Sequence, residues 1–139
     1  EMGEGYLHYL RALFLPGGDG VVDARLHGGG DLVVRLVPGA RHADAQAFRA
    51  GKVRHVRLYG GLVRHRKIGS SGLAFALAHE TGHHLGGAPH LEYLPWLSSE
   101  ERASEWALTD GLPMVFGVRQ AEIIARQGAA QLKAIGLLD

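Results

Sequence analysis

The sequence predicts a single α+β domain, in which a small and mainly antiparallel sheet packs against helices. β-Branched runs bounded by glycines are typical of strands and lie in the first half of the chain, whereas apolar residues at helical spacing follow residue 70. A length of 139 residues with 46% hydrophobic residues is enough for one domain with a buried core. We therefore take residues 1–139 as one domain.

Strands are predicted between residues 20 and 68. Glycine-rich turns at 17–20 and 28–31 bracket a short segment at 21–26, and neither turn precedes a helix as a phosphate-binding loop does. Residues 32–37 are rich in valine and end at a proline, which predicts a strand. Residues 53–59 and 62–68 flank Gly60-Gly61, a dipeptide that indicates a hairpin between two further strands.

Helices are predicted on both sides of these strands. Residues 6–15 form an opening helix, and a second helix carries residues 73–85. Glycine and serine at 69–72 can cap the start of that second helix, and the glycines at 86–87 end it. Another helix begins at the serines near residue 98. A closing helix spans 117–136, with four side chains directed inward: Ile123, Ile124, Leu132 and Ile135.

The most informative motif is His79-Glu80-Thr81-Gly82-His83. Residues four apart lie on one face of a helix, so both imidazoles can reach one metal ion while Glu80 points toward its open coordination position. This spacing is typical of hydrolytic zinc sites, although it is also compatible with polar residues on an exposed helix face. Because the chain has no cysteine, any zinc must be held by histidines and carboxylates.

Two histidines leave a catalytic zinc site one protein ligand short, so a third ligand must come from elsewhere in the chain. The helix after Ser98 offers three carboxylates, Glu100, Glu101 and Glu105, and is expected to face the first helix. Those that are not ligands are expected to be ordinary charges near the positive end of a helix.

The two helical segments together resemble gluzincin metallopeptidases, including the ImmA/IrrE-like group. His79-Glu80-x-x-His83 followed by Glu100-x-x-Ala103-Ser104-x-Trp106-Ala107 is similar to their HExxH and ExxA[DN]x[FYW]A patterns. With the similar segment that starts at Ala45-Gln46-Ala47-Phe48, the resemblance covers roughly residues 44–114. It implies a zincin-like fold, in which the sheet packs on the active-site helix and on a following helix that bears a glutamate. It also implies the zinc ligands His79, His83 and Glu100, with Glu80 as general base.

Two residues depart from the pattern of the resembled family. The family has Asp or Asn where this chain has Ser104, and that side chain orients a ligand histidine. Because serine is shorter, we expect the orientation to be weaker, water-bridged, or supplied by Glu105 or Asp110. Gln46 also replaces an asparagine. Neither change removes a ligand or the base.

These residues predict a zinc metallopeptidase that acts on a peptide or protein substrate. Glu80 is expected to take a proton from a zinc-activated water that attacks the peptide carbonyl. The alternative is a non-catalytic, zinc-stabilised protein-binding module, in which the metal joins two helices. Glu80 is dispensable in that alternative.

Composition disfavours other classes of partner. The net charge is only +1, and no run approaches the roughly 20 apolar residues of a membrane span, so we expect neither nucleic-acid binding nor a span. Alternation on the predicted hairpin places a basic run on its solvent face, which we interpret as a solvated surface. The run comprises Arg54, His55, Arg57, Arg64, His65, Arg66 and Lys67.

Three residues near the motif have less defined roles. His84 points about 100° away from His83 on a helix and is expected to pack or to support a ligand. His90 and Tyr93 lie between the two ligand helices, where plain loop surface is favoured over a role in stabilising an oxyanion.

The chain begins at Glu1 without a methionine, so we expect an excised or processed domain, for which an extracytoplasmic location is favoured.

Overall fold

A computed structural model describes residues 21–26, 30–37 and 39–138. Within these residues, the fold is α+β, as predicted from the sequence. Its strands are β1 (Val21–Leu26), β2 (Gly30–Val37), β3 (Ala45–Ala50) and β4 (Val53–Tyr59). Its helices are α1 (Gly60–Val63), α2 (Ser70–Leu85), α3 (Glu100–Trp106) and α4 (Leu112–Ala134), with a π-helical turn at Ala107–Gly111 between α3 and α4. The predicted opening helix at 6–15 and the glycine turn at 17–20 lie outside the described residues.

The four strands form one mixed sheet in the order β1-β2-β4-β3. β1 pairs with β2 and β3 pairs with β4 in antiparallel fashion, whereas the central pair, β2 and β4, is parallel. Two of the three strand pairs are antiparallel, so the expectation of a mainly antiparallel sheet is confirmed. β3 lies at one edge of the sheet, and its own hairpin with β4 turns at residues 51–52.

The predicted hairpin at Gly60-Gly61 is wrong. Residues 60–63 form the helical turn α1, and residues 64–69 continue as turns without a strand. A side chain at position 61 would collide with the main-chain carbonyl of Arg41, so this glycine serves a close approach between two chain segments. Leu62 and Ile68 are nevertheless buried, and they anchor the segment at both ends.

Because there is no hairpin at residues 60–61, the basic run does not lie on one solvent face of two paired strands as predicted. Arg54 shares the inner face of β4 with the buried Val56 and Leu58, whereas His55 and Arg57 lie on the outer face. On that outer face the Phe48 ring stacks on the His55 ring at 4.6 Å, and the Arg57 guanidinium lies 4.5 Å from the centre of the same Phe48 ring. The basic residues at 64–67 lie in the turns, so only part of the run shares one surface.

The core lies between the inner face of the sheet and the helices. Leu32, Val34, Val56 and Leu58 cover that face, and α2 is buried along nearly its whole length. α2 has its N-cap at Gly69, within the expected residues 69–72, but no capping side chain there accepts a hydrogen bond. Instead Gln131 of α4 accepts hydrogen bonds at Oε1 from the amides of Gly69 (2.8 Å) and Gly72 (2.9 Å).

α4 starts at Leu112 with Pro113 in its first turn, but its helical backbone is interrupted at Gly117, where φ is +79°. The closing helix predicted from residue 117 therefore corresponds to the part of α4 that follows this kink. Leu132 is buried, and Ile124 and Ile135 are partly buried against the core. Ile123 is 39% exposed, so its predicted inward position is wrong. Neighbouring residues point about 100° apart on a helix, and Ile124 takes the inward direction.

None of the helices in the described part of the chain combines the length and apolarity needed to cross a membrane.

Candidate metal centre

His79 and His83 lie on one face of α2, as their spacing predicts. Both are buried, and their rings lie 4.8 Å apart at 86°, edge to face. Glu80 follows with a side chain that is 13% exposed, and its Oε2 lies 4.0 Å from His79 Nε2. One ligand atom from each of these three residues falls within 4.8 Å of the others, which is the spacing of groups that can share one cation.

Glu100, the first residue of α3, completes the group. Its Oε1 lies 3.2 Å from His79 Nε2, and its Oε2 lies 3.0 Å from His83 Nε2. The other two candidates point elsewhere: Glu101 is exposed, and Glu105 pairs with Arg102 on its own helix. Of the three acidic residues, only Glu100 meets both histidines.

The position of Glu100 depends on how closely α2 and α3 approach each other. Gly82 lies between the two histidines in sequence, and a Cβ atom there would stand 2.5 Å from the carbonyl oxygen of Ala103. Only a glycine permits this contact without a shift of α3. The Ser99 hydroxyl caps α3 by accepting a hydrogen bond from the Arg102 amide at 3.2 Å, which fixes where the helix starts.

Each histidine is oriented through its second ring nitrogen. His83 Nδ1 donates to the carbonyl oxygen of Ser98 at 2.7 Å, and because a carbonyl only accepts, this nitrogen carries the proton. His79 Nδ1 lies 2.9 Å from the Ser104 hydroxyl. Serine therefore reaches the histidine directly, without a water bridge or help from Glu105. Asp110 is engaged elsewhere, where it accepts a hydrogen bond from the Thr109 hydroxyl at 2.6 Å.

The contact between His83 and Glu100 needs either a proton or a positive ion between the two groups. With its proton on Nδ1, a neutral His83 turns the lone pair of Nε2 toward a carboxylate oxygen only 3.0 Å away. Two lone pairs at that distance repel each other unless a second ring proton or a metal ion lies between them. Two imidazole nitrogens and one carboxylate are the ligand set of many catalytic zinc sites, so the residues fit this metal.

The charges of the centre follow from the same contacts. Hydrogen bonds from His79 and His83 hold the pKa of Glu100 well below its ordinary value, so its carboxylate is ionised. Burial raises the pKa of Glu80, and the charges of Glu100 and Asp44 add to that rise against the opposing effect of the histidines. Burial lowers the pKa of His83, but the Glu100 hydrogen bond and the Glu80 charge outweigh it and leave that pKa raised.

A cavity of about 330 Å³ opens over these residues. Asp44, Ala45, Gln46 and Ala47, at the start of edge strand β3, form part of its wall. Gln46 Oε1 accepts a hydrogen bond from the Tyr59 hydroxyl at 2.8 Å, which holds this side chain against β4. A second cavity of about 600 Å³ shares His79 and Glu100 with the first.

The remaining candidates lie away from the ligands. His84 donates from Nε2 to the His55 carbonyl at 2.8 Å, which ties the end of α2 to β4 and is consistent with the predicted packing role. Burial lowers the pKa of His84 to about 4. Neither His90 nor Tyr93 lines either of the two cavities, and Tyr93 is 86% exposed.

Sequence reasoning missed two residues that shape the centre. A lone glycine inside a predicted helix, as at Gly82, is a signal of close packing that was available. Ser98 gave no such signal, because its main-chain carbonyl, rather than its side chain, orients His83.

Comparison with known proteins adds no assignment: no family model, no curated protein and no solved structure matches this chain.

Proposed function

We propose that this chain is a zinc-dependent metallopeptidase with a zincin-like fold. His79, His83 and Glu100 would hold the zinc ion, and Glu80 would act as general base. The observation that carries this proposal is the convergence of two Nε2 atoms on the two oxygens of one carboxylate, next to a glutamate that faces an open cavity. The resemblance of the two motifs to gluzincins supports the same assignment.

When bound, zinc would polarise the peptide carbonyl and acidify a water molecule. Glu80 accepts the proton of the attacking water at a carboxylate oxygen and then delivers it to the leaving amine nitrogen. Its low exposure keeps bulk water from competing for that proton. The contacts to Ser98 and Ser104 keep both imidazoles directed at one point.

The edge strand provides a means of holding substrate. Among the strands that the structure describes, β3 pairs with β4 alone, and its first residues border the cavity over Glu80. Main-chain groups along such an edge can bind an extended peptide in the manner of an additional strand. This explains how a peptide can be positioned without recognition of a specific sequence.

The test is Glu80→Gln, with Glu101→Gln as the matched control at an exposed glutamate on α3. We expect about one zinc ion per chain in all three proteins, because no ligand is changed. Peptide cleavage should fall by at least about 100-fold in Glu80→Gln and stay unchanged in the control. Elemental analysis and a peptide-library assay measure both quantities. Full cleavage by Glu80→Gln would refute the proposed role of this residue.

The second candidate is a zinc-stabilised module without catalysis. It is favoured by one observation: the ligands come from two helices, so a metal ion would join α2 to α3. In this case neither wild type nor Glu80→Gln would cleave any peptide, while zinc would raise the melting temperature of both equally.

A further inference from the structure

The C-terminal end of α4 turns back toward the metal centre. Gly136 adopts φ +81°, and the Leu137 amide donates to the Leu132 carbonyl at 2.9 Å. The Gly136 amide donates to the Lys133 carbonyl at 3.1 Å. These two hydrogen bonds form a Schellman motif, which ends the helix and reverses the chain. Leu137 and Leu138 consequently pack partly buried against the core.

The two leucines border the cavity over Glu80. They share its wall with Leu132, which is 2% exposed, and with Ala76, which lies one helical turn before Glu80 on α2. None of these four side chains can donate or accept a hydrogen bond. A polar group placed against this wall would lose its water without gaining a partner, whereas an apolar group would gain from burial.

Leu137 and Leu138 border two neighbouring cavities. They line both the cavity of about 330 Å³ over Glu80 and the neighbouring cavity of about 600 Å³. The first cavity stays open while both leucines are packed against the core, so they bound the space rather than fill it. Their size therefore limits the size of a side chain that enters from the metal centre.

We propose that Leu137 and Leu138 form the wall of a substrate subsite that selects a medium-sized aliphatic side chain next to the cleaved peptide bond. This inference rests on the proposed peptidase function. It adds a substrate class, namely peptides with leucine-like residues at this position.

The experiment compares peptides that differ only in the residue beside the cleaved bond: Ala, Leu or Trp. Wild type should prefer Leu to Ala by about 10- to 100-fold in kcat/KM, as expected for about three additional buried carbon atoms, and should also prefer Leu to Trp. The double variant Leu137→Ala/Leu138→Ala removes most of the leucine surface that both cavities share. It should reduce the preference for Leu over Ala to about threefold or less and raise the cleavage of the Trp peptide relative to the Leu peptide.

A second variant and a control keep the test decisive. Leu138→Trp narrows the subsite and should shift the preference toward Ala. Val118→Ala changes a residue that is 70% exposed and borders neither cavity, so it should keep the wild-type preference. Zinc content is measured on every protein and should not change.

Three outcomes oppose the proposal in different ways. Cleavage with the same preference in both leucine variants would overturn the subsite alone. An equal increase in kcat/KM for all peptides in the double variant would also overturn it, because the leucines would then block access to the metal centre without selecting a side chain. Failure of wild type to cleave any peptide would overturn the proposed function, and the subsite with it.

Discussion

Gly82→Ala is the substitution that tests most directly how the two ligand helices are brought together. The added methyl group would stand 2.5 Å from the Ala103 carbonyl oxygen, and an ordinary contact needs about 3.4 Å, so α3 must withdraw by about 0.9 Å. Metal–ligand distances tolerate only about 0.2 Å of change. Glu100 moves with α3, so it can no longer meet both histidines and one metal ion at their present separation.

We expect Gly82→Ala to lower zinc affinity by at least about tenfold, although no donor atom is removed. The effect on stability is smaller, because an overpacking cost of about 1–3 kcal/mol is partly offset by the roughly 1 kcal/mol that alanine gains over glycine within a helix. Zinc affinity is measured by competition with a chelator, and stability by urea unfolding of the zinc-free protein.

Gly128→Ala is the matched control. A side chain at Gly128 would meet the Ser71 carbonyl at the crossing of α4 and α2, away from the metal ligands. It should destabilise the fold while the folded protein keeps its zinc affinity. Zinc affinity within twofold of wild type in Gly82→Ala, or an equal loss in Gly128→Ala, would refute the idea that the approach of α3 positions Glu100.

Two further predictions concern individual side chains. Glu100→Ala should lower zinc affinity more than about 100-fold, whereas Glu105→Ala should leave it nearly unchanged, and equal losses by chelator competition would exclude Glu100 as the third ligand. His84 has a pKa lowered to about 4 by burial, with Arg54 and other positive groups adding to the effect, against 6.5 as its ordinary value. Because the folded pKa is the lower one, the contribution of neutral His84 is present above about pH 6.5 and is lost as the pH falls toward 4. The free energy of unfolding of zinc-free wild type should therefore fall by up to about 2 kcal/mol more between pH 7 and pH 5 than that of His84→Gln, and parallel pH profiles from urea titrations would contradict this assignment.

The local parts of the fold were predictable from the sequence. α2, with its histidine pair, follows from helical spacing between glycines, and β2 follows from its valine-rich run. The prediction of a hairpin at Gly60-Gly61 was wrong because a glycine pair is found both in hairpin turns and where two chain segments approach closely. Here the second explanation holds, and the Arg41 carbonyl that approaches Gly61 is distant in sequence. The parallel pairing of β2 with β4 joins strands that are distant in sequence, and the residue pattern of one strand does not say which strand it pairs with or in which direction.

In the candidate metal centre, too, the local features were predictable from the sequence and the tertiary ones were not. Spacing on one helix placed His79 and His83 together, but spacing alone left three glutamates open on α3. The choice of Glu100 came from the resemblance. In the structure it depends on where Ser99 caps α3 and on the approach at Gly82, which are tertiary features. Ser104 was expected to orient a ligand histidine weakly, through water, or with help from Glu105 or Asp110, but its hydroxyl lies 2.9 Å from His79 Nδ1.

The two histidines differ in what holds them, and this affects how the centre can be lost by mutation. His83 is oriented by a main-chain oxygen, which is retained whatever side chain stands at position 98. His79 is oriented by a hydroxyl, which a single codon change at Ser104 can remove. Genetic variation that weakens the proposed zinc site without changing a proposed ligand should therefore accumulate on the His79 side.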